Sequence, residues 1–80
     1  PQLEAAQYGY GILAGRAGQP AEGFYHLATA ARLKGDYATA LNQYARAAPM
    51  LPTSDARRED AELWSAALSE FLRVPVPQPE

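Results

Sequence analysis

The chain is predicted to be all-α, a set of antiparallel helix hairpins, on three observations: alanine supplies about a fifth of its 80 residues, glycine and proline cut it into stretches of helical length, and apolar residues within those stretches recur at three- and four-residue spacing. Alanine matters because its side chain loses no rotamer freedom in a helix. The cuts fall at Gly18-Gln19-Pro20, Gly35-Asp36, Pro49 to Pro52 and the Val74-Pro75-Val76-Pro77-Gln78-Pro79 end. Four helices are expected, over 2–17, 20–34, 37–48 and 55–73. Residues 1–73 then form one helical domain with a modest core, and 74–80 a proline-rich tail.

In the first stretch Leu3, Ala6, Tyr10, Leu13, Ala14 and Ala17 share a face. Gly9, Gly11 and Gly15 weaken it by roughly 1 kcal/mol each relative to alanine, so it must rely on a packed neighbour. The second opens on Pro20, whose missing N–H costs nothing at a first helical position, and carries Glu22 near the positive end of the helix dipole. Phe24, Leu27, Ala28 and Ala31 fall on its apolar side. Gly35 suits a left-handed helix end, and the Asp36 carboxylate is placed to cap the next helix.

The third stretch sets Tyr37, Ala40, Leu41, Tyr44, Ala47 and Ala48 against a polar face of Thr39, Asn42, Gln43 and Arg46. Pro49 predicts that it ends or bends near Ala48. Ser54 or Asp55 caps the fourth, whose start is acidic (Asp55, Glu59, Asp60, Glu62) and whose apolar stripe is Leu63, Trp64, Ala67, Leu68, Phe71 and Leu72. The prolines after Arg73 favour an extended tail, poorly ordered unless a neighbour holds it.

Several function classes find little support. Seven Lys/Arg are scattered among nine Asp/Glu, for a net charge of −2, so the basic stripe that nucleic acid requires is missing. No apolar run reaches the roughly 20 residues that span a bilayer, and direct membrane insertion is not expected. With no cysteine and one histidine, His26, neither a zinc site nor a thiol nucleophile can be assembled from the chain, and no cofactor is implied. Ser54, Ser65 and Ser69 lack a glycine elbow, and Glu59, Asp60 and Glu62 read as a solvated helix start rather than an acid/base pair. The chain itself is therefore expected to be non-catalytic.

Gly18 and Gly35 stand seventeen positions apart, half of a 34-residue period. Residues 21–54, AEGFYHLATAARLKGDYATALNQYARAAPMLPTS, resemble one complete tetratricopeptide (TPR) repeat. Phe24 stands for the leading aromatic and Leu27 for the Leu, whereas Ala28 and Ala31 replace the family's Gly and Tyr. Gly35-Asp36-Tyr37 match the turn, Ala40 the small contact residue, Tyr44 the second aromatic and Pro52 the terminator. The resemblance implies a helix hairpin closed through small residues at Ala28 and Ala40, a degenerate half-repeat before it, and a capping helix after it. It also implies a protein-interaction function. The first helix of such a repeat lines a concave groove, which here would present Glu22, Tyr25, His26, Thr29, Arg32 and Leu33 to a protein or peptide. The alternative is that the preceding helix covers this face.

Where some members of the family carry a Lys/Asn clamp for a peptide's terminal carboxylate, this chain has Tyr25, Thr29 and Leu33, so that mode of capture is disfavoured. The remaining aromatics, Tyr37, Tyr44, Trp64 and Phe71, are expected in the core. Because three repeats are normally needed for independent stability, the single copy is expected to form a homodimer or to dock onto a parent chain. A segment starting at Pro1 and entering helix within a few residues reads as part of a longer protein. A weaker resemblance joins QYGYGILAGRAGQPAEGFYHLA, GDYATALNQYARA and the following charged helix to the C-terminal helical tail of bacterial zinc metallopeptidases that carry HExxH. That motif is absent here, so peptidase activity would belong to other sequence, in a cell-envelope or periplasmic setting; without this host the expected setting is cytoplasmic. The rival reading is a helix-turn-helix DNA-binding regulator, for which the third helix offers only Arg46 on its polar face.

Overall fold

The computed structural model describes residues 5–7, 9 and 20–78. Ala5, Ala6, Gln7 and Gly9 are helical, and the remainder of the helix expected over 2–17 lies outside the described residues. Three complete helices follow: α1 (Pro20–Lys34), α2 (Tyr37–Met50) and α3 (Ala56–Leu72). The described residues contain no strand, and the all-α hairpin architecture is as expected.

Local chemistry accounts for each boundary. Helix α1 starts on Pro20, carries Glu22 in its first turn and ends on Arg32 and Lys34, so its charges complement the dipole at both ends. Gly35 follows with φ 89°. In this left-handed conformation its N–H donates to the Arg32 carbonyl (3.1 Å), while the Asp36 N–H donates to that of Ala31 (2.9 Å). This Schellman pair satisfies two carbonyls that would otherwise lack partners. The Asp36 carboxylate then accepts from the Thr39 N–H (3.3 Å), so one two-residue corner both closes α1 and opens α2.

Helix α2 runs two residues past the expected stop at Ala48, with Pro49 inside its last turn. The correction has a simple cause. Proline's fixed φ suits a helix, and Pro49 forfeits only its own bond to the Ala45 carbonyl before the chain leaves the helical path at Leu51. Leu51 is itself buried and donates its N–H to the Ala48 carbonyl, which fixes the exit. Asp55 caps α3 by accepting from the Arg57 N–H (2.9 Å). At the other end Arg73 takes the left-handed conformation (φ 57°), donating to the Glu70 carbonyl as Val74 donates to that of Ser69. The motif that ends α1 thus recurs, with arginine in the glycine position.

Helix α2 packs against both α1 and α3. The core comprises Ala28 and Ala31 of α1, Ala40, Leu41, Tyr44 and Ala48 of α2, and Ala61 and Leu68 of α3, with Tyr25, Trp64 and Leu72 packed against it. Ala28 and Ala40 are both fully buried, as close approach of two helices through small side chains requires. Among the described residues Tyr44 is the largest side chain with no exposure at all.

Several expected core positions lie elsewhere. Phe24 and Leu27 are only half-buried at the margin of the α1–α2 contact, and the Arg46 guanidinium sits 5.6 Å over the Phe24 ring. Tyr37 is 38% exposed. In α3 the buried side is Ala61, Ser65 and Leu68, while Leu63, Ala67 and Phe71 face outward. The cause is geometric: the apolar residues of α3 cover about half of the helix circumference, whereas one contact with α2 uses only a stripe of roughly 100°. The tail from Val74 to Gln78 has no regular secondary structure, yet Val76 and Pro77 are half-buried.

Candidate functional site

Helices α1 and α3 both run antiparallel to α2 and are therefore parallel to one another. Two polar bridges join them. The Tyr25 hydroxyl donates to Asp60 Oδ2 at 2.6 Å, and Arg57 Nη1 pairs with the Glu22 carboxylate. Each bridge links residues 35 positions apart, so the two helices are held in one register along their length. Arg57 is itself fixed by Asp55, which accepts from its Nε (3.1 Å) and Nη2 (2.7 Å).

Beyond the Tyr25–Asp60 bridge, toward the C-terminal end of α1, lies a cluster centred on Tyr44. Arg32 Nε donates to the Tyr44 hydroxyl at 3.1 Å, and that hydroxyl lies 3.0 Å from Thr29 Oγ1. Thr29 donates its own proton to the Tyr25 carbonyl (3.1 Å), so Tyr44 must be the donor to Thr29. The result is a directed chain from Arg32 through Tyr44 and Thr29 to the backbone of α1. The Trp64 ring stacks on Tyr44 (6.2 Å between centroids, 13° between planes), and the Arg32 guanidinium lies 4.0 Å over the Trp64 ring. Tyr25 meets Tyr44 edge-on at 5.9 Å. Burial, and then the bond to Asp60 with its charge, push the Tyr25 pKa up, so its hydroxyl remains a donor.

His26 Nδ1 lies 2.6 Å from Gln7 Oε1 and therefore carries a proton, with the ring edge-on to Tyr25 at 5.4 Å. Burial lowers the His26 pKa below its ordinary 6.5, helped by the charge of Arg57 and opposed by Glu22. Asp55 is likewise held below the ordinary carboxylate value, first by its side-chain bond to Arg57. Each group gives up its proton more readily in the folded chain, so on acidification the unfolded chain takes up protons first and stability falls. The loss begins near pH 6.5 for His26 and near pH 4 for Asp55, and continues until each folded-state pKa is passed. Since His26 is the only histidine, the urea midpoint is expected to be lower at pH 5.5 than at pH 7.5. The His26→Gln variant should flatten that step; an unchanged step would assign it to another group.

Of the six residues expected to line a groove on α1, Glu22, Tyr25 and Arg32 reach across to α3, Thr29 bonds within the Tyr44 cluster, and His26 meets Gln7. Leu33 remains on the surface. The structure gathers all six on one side of α1, but most of that side is spent holding α3. The open apolar surface belongs to α3 instead. Phe71 is 70% exposed and Leu63 64% exposed. Tyr37, Trp64, Ala67, Leu68 and Phe71 line an open groove of about 340 Å³, with the Tyr37 and Phe71 rings edge-to-face at 5.5 Å.

Sequence reasoning placed Tyr37, Ala67 and Phe71 in the core and so missed this groove. The signal available was the width of the α3 stripe, too broad for a single neighbour. Among the described residues no group of His, Cys, Asp or Glu is arranged to hold a metal ion, and no helix is long and apolar enough to cross a membrane. The Ser65 hydroxyl donates to the Ala61 carbonyl (2.8 Å) and that of Ser69 to the Val74 carbonyl, so both act as backbone partners. No protein-family profile, curated protein or solved structure matches the chain.

Proposed function

We propose that the chain is a non-catalytic interaction module of TPR type, which takes the apolar side of a protein or peptide in the groove of Tyr37, Trp64, Ala67, Leu68 and Phe71. The observation that carries this reading is Phe71: a large aromatic, 70% exposed, beside a half-exposed partner ring and an open groove. Aromatic side chains of this kind dominate the energetics of protein interfaces, because they supply large contact area with few torsions to freeze. The repeat type is supported by the constant 35-residue separation across the α1–α3 bridges, since stacking of 34-residue units brings equivalent helices into parallel register at nearly this interval.

A DNA-binding role draws less support from the basic side chains. Arg32 is held between Tyr44 and Trp64, Arg57 is neutralised by Asp55 and Glu22, and Arg46 lies over Phe24. Few guanidinium groups are left for phosphates.

The test is to select peptides from a random library against the full chain and measure their affinity for the Phe71→Asp variant. Loss of a hot-spot aromatic typically costs 2 kcal/mol or more, so affinity should fall by roughly thirtyfold, with helical content unchanged because Phe71 is outside the core. Selected peptides that bind Phe71→Asp as well as the parent would remove the groove from this role.

A further inference from the structure

A second surface, independent of the groove above, is already filled by the chain itself. After the left-handed turn at Arg73, residues 74–78 return over the opposite side of α3. The turn is fastened twice: the Val74 N–H donates to the Ser69 carbonyl (3.1 Å), and the Ser69 hydroxyl donates to the Val74 carbonyl. Val76 and Pro77 then line a crevice with Ala45, Ala48 and Pro49 of α2 and Ser65 and Ala66 of α3. Both are half-buried, whereas Val74 and Pro75 before them are exposed.

The chemistry of the crevice suits this occupant. Its apolar walls are the small side chains of Ala45, Ala48 and Ala66, which let an extended backbone come close, and Arg58 and Glu62 add a charged pair to the lining. Proline has no N–H to leave unsatisfied when covered, and its fixed φ means that little conformational freedom is lost on docking. The fit is also incomplete: Pro77 and Gln78 border two open cavities, of about 230 and 490 Å³. Room therefore remains for a partner that fills the site better than the tail does.

We propose that the α2–α3 crevice is a binding site for extended proline-containing segments supplied by another molecule, with residues 74–78 acting as a tethered competitor. A tail on a short tether has an effective concentration in the millimolar range, enough to hold a weak site closed against dilute ligand. Opening requires only that the chain beyond Val74 swing away, so the Val74–Ser69 fastening stays and none of the helix–helix contacts has to break.

The probe is the peptide Val-Pro-Val-Pro-Gln, blocked at both ends, titrated into the full chain and followed by amide and alanine methyl resonances. In the Val76→Asp variant the tail loses its apolar anchor and vacates the crevice. A tail seated about nine-tenths of the time lowers the apparent affinity roughly tenfold, so this variant should bind the peptide about tenfold more tightly than the parent, with shifts at Ala45, Ala48 and Ala66. The Ala66→Glu variant, altered at an exposed position, should displace the tail and also fail to bind the peptide. A gain of less than about threefold for Val76→Asp, shifts centred on Tyr37 and Phe71, or undiminished binding by Ala66→Glu would each overturn the proposal.

Discussion

Replacing Tyr44 by alanine is expected to remove about 3–5 kcal/mol of stability, the range for truncating a buried aromatic. For a chain of 80 residues, a total of roughly 0.05–0.15 kcal/mol per residue amounts to about 4–12 kcal/mol, so the loss takes about a quarter or more of the total and at the low end of that range unfolds much of the population. The size of the effect follows from position. Tyr44 has no exposed surface, its ring is covered by Trp64 on one side and met by Tyr25 on another, and its hydroxyl sits between Arg32 and Thr29. Truncation opens a cavity and strands two polar groups together. Tyr44→Phe separates the two costs: the ring stays, and the expected loss is only about 1–2 kcal/mol for the missing hydrogen bonds. Urea unfolding followed by Trp64 fluorescence measures both variants, since the indole stacks on the altered ring. A Tyr44→Ala protein within about 1 kcal/mol of the parent would mean that the cluster is not the centre of the core.

Ala40→Leu is the second large effect, and it tests the close approach of α1 and α2. Leucine is nearly as good a helix former as alanine, so any loss reports packing rather than propensity. Ala40 is fully buried in the same cluster as Ala28, and overpacking a close-packed site of this kind costs about 1–3 kcal/mol. Ala38→Leu, on the exposed side of the same helix, is the control and should stay within about 0.5 kcal/mol. Equal stabilities for the two variants would show that the α1–α2 crossing is loosely filled.

Residues whose effect is local were legible in advance. Pro20 and Gly35 mark α1 at both ends, Asp36 and Asp55 cap the helices that follow them, and all four act through their own backbone or that of their near neighbours. The small pair Ala28 and Ala40 was legible too, through the resemblance of residues 21–54 to a repeat whose two helices meet at small side chains. What periodicity does not report is the number of neighbours a helix has. On α3 it identified the apolar residues but not which would be buried, and the outward position of Leu63, Ala67 and Phe71 follows only once α2 is docked. The polar face of α1 was obscure for the same reason. Glu22 and Tyr25 find partners 35 residues away, and side chains so distant in the chain carry no common pattern to read. Pro49 was misread because its penalty falls on helix interiors, and here it stands at the last turn.

The paired struts between α1 and α3 bear on how any guest would be received. Sliding one rod past the other by a turn, about 5.4 Å, would undo the tyrosine–aspartate and arginine–glutamate links at once, so α3, which carries most of the open aromatic groove, is fixed in place before anything arrives. A partner of the proposed groove would then have only its own disorder to give up, its encounter would be governed by orientation and the shedding of water, and discrimination would fall to shape rather than to adjustment of the host.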